Sequence, residues 1–319
     1  MSDNWNRKRA ILSLLNAGDF VSGEALADAL GISRAAISKH IDTLETYGVE
    51  IYSVKGKGYK LATPVFLIDE PRLLQAIDNR CFYFDETSST NAFLLSHAKE
   101  LKSGDICIAE YQSAGRGRRG RTWVSPYGNH LYCSLFWGFS QGMAQAMGLS
   151  LVVACSLVKV LQELGVPDLG VKWPNDIYLD HKKLAGVLIE MSGQADSECQ
   201  LIIGIGLNMA MSDNQAQAIE QPWNDLSHLA SMPDKTELAI KLQQQLKRDL
   251  QLFEREGLPA FMPRWQAVDL FDGQPVRLLM GSNEIQGICR GVDEQGSLLL
   301  ETDAGLQAYV GGEISLRPN

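Results

Sequence analysis

Residues 22–61 read SGEALADALGISRAAISKHIDTLETYGVEIYSVKGKGYKL, and they determine the architecture at the start of the chain. Ser22 and Ser33 stand at the starts of two apolar-periodic stretches, 22–30 and 34–47, and serine is a favoured helix cap. Gly31 between them predicts a tight turn, so this region is typical of a helix-turn-helix. The alternating and glycine-rich residues 49–61 then predict a hairpin. A hairpin behind a helix-turn-helix is the wing of a winged-helix module.

The start of the second helix of this pair is where a recognition helix meets base edges. Lysines in the hairpin can reach phosphate, and such contacts are electrostatic and weaken with salt. A tri-helical packing or protein-docking module remains the alternative interpretation. The candidate DNA-binding residues are Ser22, Ser33, Arg34, Ser38, Lys39, His40, Lys55 and Lys57.

Charge is unevenly distributed along the 319 residues, although the net charge is −9. Residues 1–63 carry eight Lys and Arg against seven Asp and Glu, a charge of +1, whereas the remainder carries 21 against 31, a charge of −10. The acidic total therefore does not argue against nucleic-acid binding by the first module. The six cysteines include no close pair, so a zinc site or disulfide framework is not expected, and a cytoplasmic location fits. The apolar runs are far shorter than the ~20 residues that span a bilayer.

The chain divides into three predicted domains. A winged-helix DNA-binding domain is predicted at residues 1–63, and a larger body of mixed strands and helices is predicted at residues 66–270. Several strands of this body follow one another without helices, which predicts a mixed sheet and an α+β fold class. Residues 271–319 consist of short strands separated by turns, which predicts a small SH3-like β-barrel that the segment 311–315 closes.

A glycine–arginine run directly follows a predicted strand: residues 115–121 read GRGRRGR. Glycine lets the backbone approach a ligand closely, and arginine offers a planar fork that matches carboxylate and phosphate. A solvated basic loop and an RNA-binding arginine patch are the alternatives. The run is not a Walker loop, because the required G-x-x-x-x-G-K-[ST] pattern is absent.

Further cations follow along the chain. Lys172 leaves a strand ahead of Trp-Pro-Asn-Asp, and Lys183 begins the next strand at the same sheet end. Asp176 can either hold Mg²⁺ through one carboxylate or act as a base, and a structural turn is the alternative. The segment 204–209 reads GIGLNM, so a dinucleotide fingerprint fails at its last position and its glycines instead predict close packing on a strand.

Together these motifs are similar to those of the bifunctional biotin–protein ligases and biotin operon repressors of bacteria. The similarity covers nearly the whole chain, and the single-function ligases of the family lack the winged helix that this chain has. It rests on the segments 33–41, 89–91, 115–121, 172–176, 183–186, 206–209 and 311–315.

The resemblance implies that biotin and ATP form biotinyl-5′-adenylate, with Mg²⁺ screening the triphosphate. Biotin then passes to a lysine of the biotin carboxyl carrier protein of acetyl-CoA carboxylase. It also implies that the adenylate-bound chain forms a homodimer on the biotin operon operator. No membrane partner is implied. Implied biotin contacts are Ser89, Thr90, Asn91, Gln112, Gly115, Arg116, Gly117, Arg118 and Lys183; nucleotide contacts are Arg118, Arg121, Asn175, Asn208 and Trp223; the catalytic candidates are Lys183, Arg118, Lys172 and Asp176.

Two other functions remain open. A regulator could sense biotin or the adenylate without transferring it, but such a sensor needs no activating cations. A lipoate-type acyl ligase shares the catalytic fold but lacks the wing and the glycine–arginine run. We also expect residues 115–121, with three glycines, to be mobile without ligand and ordered over the adenylate.

Overall fold

The structure is a computed structural model that describes residues 3–139, 142, 146–193, 199–217, 219–280, 283–311 and 314–318. Two predictions fall partly outside these residues. One of the turns predicted between the short C-terminal strands, at 281–283, includes the undescribed residues 281 and 282, and the 311–315 segment includes the undescribed residues 312 and 313. Within the described ranges, no helix is both long enough and apolar enough to cross a membrane.

The predicted winged helix is confirmed. The hydroxyls of Ser22 and Ser33 cap their helices by accepting backbone N–H bonds at 3.0 and 3.2 Å. Gly31 ends the first of these helices with a φ of +62°, which glycine adopts without steric cost. The elements are α1 (Asp3–Leu15), α2 (Gly23–Leu30), α3 (Arg34–Thr46), β1 (Ile51–Val54) and β2 (Gly58–Leu61).

A seven-stranded mixed sheet forms the central body, as predicted. Its order is β3-β4-β5-β9-β8-β7-β6, in which β3 and β4 are parallel and every other neighbouring pair is antiparallel. The strands are β3 (Cys81–Phe84), β4 (Ile106–Ala109), β5 (His130–Phe139), β6 (Leu169–Lys172), β7 (Asp176–Leu179), β8 (Lys182–Gly193) and β9 (Cys199–Asn208).

Helices cover both faces of this sheet. The helices are α4 (Glu70–Ala76), α5 (Thr90–His97), α6 (Leu149–Glu163), α7 (Asp213–Ala216), α8 (Lys235–Glu256) and α9 (Met262–Gln266). The long helices α6 and α8 pack on each other and on the main apolar core, whereas α5 packs on a smaller cluster on the opposite face that includes Leu94, Phe136 and Ile202. The start of α5 lies beside the middle of β5, where Ser134 contacts Thr90 and Asn91.

The C-terminal domain is an antiparallel sheet of five strands in the order β13-β12-β11-β10-β14. These strands are β10 (Pro275–Met280), β11 (Asn283–Val292), β12 (Leu298–Thr302), β13 (Gly305–Tyr309) and β14 (Ile314–Pro318). The short strands predicted from the sequence at 275–280, 284–292, 297–301 and 306–310 correspond to the first four of these, whereas β14, which pairs with β10, was not predicted as a strand. Among the described residues no ladder joins β13 to β14, so the barrel is open along that side.

The winged helix and the central body share a hydrophobic core. Tyr127 and Val65 are buried together with the apolar residues of α1 and α3. The rings of Trp5 and Tyr127 stack with centroids 4.8 Å apart and planes 8° apart. The winged-helix module is therefore packed against the body rather than attached only through a linker.

Candidate active site

Polar residues at the start of α5 line a cavity of about 140 Å³. The Thr90 backbone N–H donates to the Gln112 side-chain oxygen at 2.9 Å. Ser134 Oγ lies 2.6 Å from Thr90 Oγ1 and 2.5 Å from Asn91 Oδ1. Ser89, Thr90, Asn91 and Ser134 are all buried. The cavity therefore offers donors and acceptors that are fixed in position, which is how a ligand site orients a small polar group.

Two glycines of β9 form the floor of this cavity, and the Trp123 ring lies against it. A Cβ atom at Gly206 would lie 2.5 Å from the Trp123 ring, and a Cβ atom at Gly204 would lie 2.3 Å from Asn91 Oδ1. Both positions therefore require glycine, as the sequence analysis predicted from the need for close packing. The buried Trp123 Nε1 has no hydrogen-bond partner among the described residues.

The glycine–arginine loop is attached to the sheet at two points. Arg116 forms an ion pair with Glu190 of β8 at 2.8 Å, and the same Glu190 oxygen accepts a bond from Asn91 at 2.8 Å. Arg118 donates to Asn175 Oδ1 at 2.9 Å. Burial lowers the pKa of Arg118, the nearby Asp176 carboxylate raises it, and Arg119 lowers it.

The remaining cations cluster where β6, β7 and β8 begin or end. Lys183 forms an ion pair with Asp176 at 2.8 Å. Lys172 is 4% exposed, and its Nζ lies 3.2 Å from the Tyr178 hydroxyl. Burial and, to a smaller extent, Arg317 of β14 lower the pKa of Lys172 to about 8, although the Asp176 carboxylate opposes this shift.

A second cavity of about 760 Å³ adjoins the first. Asn208 and Trp223 line it, and it is bounded by the C-terminal domain through Arg317. The residues common to both cavities include four cations, which lie where the two cavities meet. The shared residues are Arg121, Thr122, Trp123, Lys172, Lys183, Gln221 and Arg317.

Trp223 is held at this second cavity by backbone pairing. Lys183 N–H donates to the Pro222 carbonyl at 3.1 Å, and Asn224 N–H donates to the Lys183 carbonyl at 2.9 Å. The Asn208 amide donates to the Asn224 carbonyl at 3.1 Å, so part of its hydrogen-bonding capacity fixes this segment. The tryptophan is thereby anchored beside Lys183.

Nearly all the residues predicted for ligand binding meet here. The predicted biotin, nucleotide and catalytic residues line one cavity or the other, with Gly115 as the exception. Gly115 lies behind the cavity wall, where a Cβ atom would be 2.5 Å from Ser125 Oγ.

Asp176 is the candidate Mg²⁺ ligand of this site. Among the described residues, no group of three or more His, Cys, Asp or Glu side chains is arranged to hold a metal ion. Mg²⁺ in nucleotide enzymes is typically bound by one or two carboxylates together with substrate phosphates. A single carboxylate beside the cavity is compatible with that mode, because the phosphates supply the other ligands.

The DNA-binding candidates occupy a separate surface. Arg34, Lys39, Lys55 and Lys57 are exposed, whereas Ser22 and Ser33 act as helix caps. Partial burial lowers the pKa of His40, and the nearby Lys8, Arg7 and Lys39 lower it further, which indicates a locally positive surface. Such a surface suits a phosphate backbone.

Three contributors to the site were missed by sequence reasoning: Glu190, Ser134 and Arg317. Each comes from a strand distant in sequence from the motifs it contacts. The arginine loop did signal that an anion lies nearby, but the identity of its carboxylate partner depends on how β8 is placed.

Comparisons with known proteins agree with this geometry. Residues 82–208 match the model of the Biotin/lipoate A/B protein ligase family, residues 7–60 match an HTH domain, and residues 273–317 match the Biotin protein ligase C terminal domain. The chain is 47% identical over 308 residues to the Bifunctional ligase/repressor BirA of Escherichia coli, covering 96% of each protein.

Two further relatives match most of the chain. The Biotin--[acetyl-CoA-carboxylase] ligase of Paracoccus denitrificans is 33% identical over 72% of this chain and 97% of its own. The solved structure of the biotin protein ligase from Aquifex aeolicus in complex with biotin and ATP aligns with a TM-score of 0.65 at 30% identity, covering 75% of this chain and 99% of that one.

Proposed function

The chain belongs to the family of bifunctional biotin–protein ligases and repressors, and on this basis we propose that it joins biotin to ATP and transfers the biotin to a carrier-protein lysine. The acceptor is the biotin carboxyl carrier protein of acetyl-CoA carboxylase, in keeping with the relative from Paracoccus denitrificans. The winged helix binds the operator of the biotin biosynthesis genes.

One observation carries the ligase proposal: cations lie where the two cavities meet. Adenylation brings an anionic carboxylate against an anionic α-phosphate, and these groups repel each other. Lys172, Lys183 and Arg121 border both cavities, so they can offset this repulsion while holding the groups in line. Biotin occupies the smaller cavity beside Thr90 and Gln112, and the adenosine occupies the larger one.

The first step forms a mixed anhydride. A carboxylate oxygen of biotin attacks the α-phosphorus, the bond to the bridging oxygen breaks, and pyrophosphate leaves. Lys183 lies at this point, and an arriving phosphate competes with Asp176 for its ammonium group. The role of the lysine is electrostatic, because its charge favours the transition state more than the separated reactants.

In the second step, the amine of the carrier lysine attacks the acyl carbon of biotin, and AMP leaves. The amine must lose a proton, and Asp176 is the carboxylate at the reaction centre. Asp176 has two possible roles, as base for this proton or as ligand of a Mg²⁺ ion bound with the triphosphate. The ion, when bound, screens phosphate charge during the first step.

The glycine–arginine loop protects the intermediate. An acyl-adenylate hydrolyses readily, so water must be kept out of the cavity. Arg116 and Arg118 are held over the cavity by Glu190 and Asn175. These bonds support a loop that closes over bound ligand.

The repressor function requires a dimer in this proposal. From Ile189 to Gly193, β8 pairs with β9 but has no described strand on its other side. Such an edge carries unpaired backbone groups and favours pairing with a second copy of the chain. Adenylate-bound chains pair through this edge and bind the operator as a homodimer.

The ligase proposal is tested by incubating the protein with ATP, labelled biotin and a purified carrier domain. We expect pyrophosphate release together with label on the carrier. Tight biotin binding without labelled carrier would instead indicate a sensor, and release of pyrophosphate only with lipoate would indicate a lipoate-type ligase.

A further inference from the structure

The residue that follows the recognition helix α3 contacts the central body. Tyr47 follows α3 directly, and its hydroxyl donates to the Glu86 carboxylate at 2.6 Å. Its ring packs edge-on against Tyr111, with centroids 4.8 Å apart and planes 85° apart. A single side chain of the DNA-binding module therefore contacts two separate segments of the catalytic body.

Those two segments carry the predicted biotin contacts. Glu86 lies three residues before Ser89, and Tyr111 lies directly before Gln112. The segments pair with each other, since Thr87 N–H donates to the Tyr111 carbonyl at 3.2 Å. Further bonds continue this pairing up to residue 114, immediately before the glycine–arginine loop.

The attachment is reinforced by buried contacts on the adjoining side. Arg9 of α1 forms an ion pair with Asp85 at 2.6 Å, and the Tyr127 hydroxyl donates to the same carboxylate at 2.8 Å. The Tyr127 N–H also donates to the Tyr47 carbonyl at 3.0 Å. Because Asp85 is buried and charge-paired, the backbone before Glu86 has little freedom to move independently of the winged helix.

We propose that Tyr47 is a positioning residue of the biotin site, through which the recognition helix and the biotin pocket are coupled within one chain. The coupling acts through Glu86 and Tyr111, which hold the segments bearing Ser89 and Gln112. Coupling of binding free energies is reciprocal, so biotin in the pocket also favours one orientation of the helix, without a second chain. This inference rests on the proposed biotin-binding function.

The test compares Tyr47→Phe with Tyr52→Phe in the full-length protein. Tyr52 lies in the same domain but is 57% exposed on the wing, so it is a matched control. Tyr47→Phe removes the bond to Glu86 and keeps the ring. We expect the biotin dissociation constant, measured by calorimetry, to rise about three- to ten-fold, which is the range for the loss of one ordinary, exposed hydrogen bond. Tyr52→Phe should match the wild type.

A kinetic readout separates positioning from general destabilisation. We expect Tyr47→Phe to raise the KM for biotin while the KM for ATP and kcat stay within two-fold of the wild type. Parallel changes in all three constants would overturn the inference, because they would indicate a general loss of structure.

A double variant tests the route. If the bond between Tyr47 and Glu86 transmits the effect, Glu86→Ala and the combined variant should weaken biotin binding as much as Tyr47→Phe alone. Additive losses would overturn the route, as would an unchanged dissociation constant in Tyr47→Phe. A wild-type protein that binds no biotin would contradict the proposed function itself, so the two failures are distinguishable.

Discussion

Lys172 illustrates how position changes the chemistry of a residue that sequence alone identifies. Its pKa is lowered to about 8 by burial and by Arg317, so its charge is lost as the pH rises through 8. Because the protonated form attracts phosphate, we expect the KM for ATP to increase above pH 8. In Lys172→Met this rise should disappear.

The measurement is the KM for ATP between pH 6.5 and 9.5. Lys182→Met serves as the control, because Lys182 is exposed at the start of the same strand that bears Lys183. An identical pH profile in the wild type and Lys172→Met would show that Lys172 does not contribute its charge to nucleotide binding.

Gly206 gives a steric prediction. A Cβ atom there would lie 2.5 Å from the Trp123 ring, so Gly206→Ala must displace that ring from the cavity. We expect biotin affinity to fall at least about ten-fold, a loss of ~1.4 kcal/mol, by equilibrium titration. Gly138→Ala, whose nearest neighbour would be 3.5 Å away, should bind normally. Equal affinities in both variants would contradict this role of Gly206.

At the scale of single residues, the sequence identified which side chains belong to the site better than it identified their ion-pair and hydrogen-bond partners. The cations stood out because several arginines and lysines flank predicted strand ends. The pairing of Arg116 with Glu190 could not be predicted, since it depends on the register of β8 against β9. Similarly, Arg317 enters the site through β14, a five-residue strand whose pairing is set by β10.

Among the elements, the glycine–arginine loop is the one expected to respond to ligand. Arg119 and Arg121 are exposed, so trypsin can reach this loop. We expect biotin plus ATP to slow cleavage at residues 118–121 about ten-fold, measured by mass spectrometry. Cleavage at the exposed Lys55 and Lys57 of the wing provides an internal reference. Equal loop cleavage with and without ligand would count against closure.

The recognition helix α3 gives the second element-scale prediction. Arg34 is exposed at its start and is distant from both cavities. We expect Arg34→Ala to weaken operator binding by about 1–3 kcal/mol, measured by fluorescence anisotropy, while ligation of the carrier is unchanged. Lys57→Ala should instead lower the dependence of binding on salt. A parallel loss of ligation in Arg34→Ala would contradict this separation.

Most elements could be predicted because their apolar periodicity is strong. The sequence predicts a strand at 81–84 and a long helix at 237–256, and the observed strand Cys81–Phe84 and helix α8 agree with these limits to within two residues. The short helix α4 was not predicted, because seven residues form too few turns to show a clear apolar periodicity. Its packing against α8 stabilises it instead.

On the scale of the whole molecule, a buried ion pair connects three parts of the fold. Lys235 at the start of α8 lies 2.5 Å from Glu110, and both side chains are at most 1% exposed. Lys235 also donates to the Phe66 carbonyl, and Glu110 accepts the Ile68 N–H. The segment after the winged helix is thereby fixed to the sheet and to α8.

Removing this cation should therefore be costly. Lys235→Met leaves the Glu110 carboxylate buried. Its remaining ion-pair partner is Arg9, whose Nη2 lies farther away, at 3.6 Å. We expect the free energy of unfolding in urea to fall by about 3–5 kcal/mol. Lys241→Met, at an exposed pair with Glu237 on the same helix, should change it by less than ~1 kcal/mol. Similar effects at both sites would contradict the importance of burial.

Composition and charge suggested a module ending near residue 63, but they could not reveal how that module is attached. The aromatic residues at the contact are widely spaced in sequence, and each alone is only a candidate for some core. Their arrangement as one cluster depends on the approach of α1 and Tyr47 to the body. The domain limits 1–63, 66–270 and 271–319 stay predictions.

The stacking of Trp5 on Tyr127 bears on how this protein can be dissected. A cut after residue 63 would expose this contact on both fragments. The N-terminal fragment would expose the Trp5 ring, and the other fragment would expose the Tyr127 ring and the Asp85 carboxylate to which its hydroxyl donates. Neither fragment would keep the buried surface that it has in the intact chain. The winged-helix module and the ligase body are therefore best studied, and best engineered, as one intact chain.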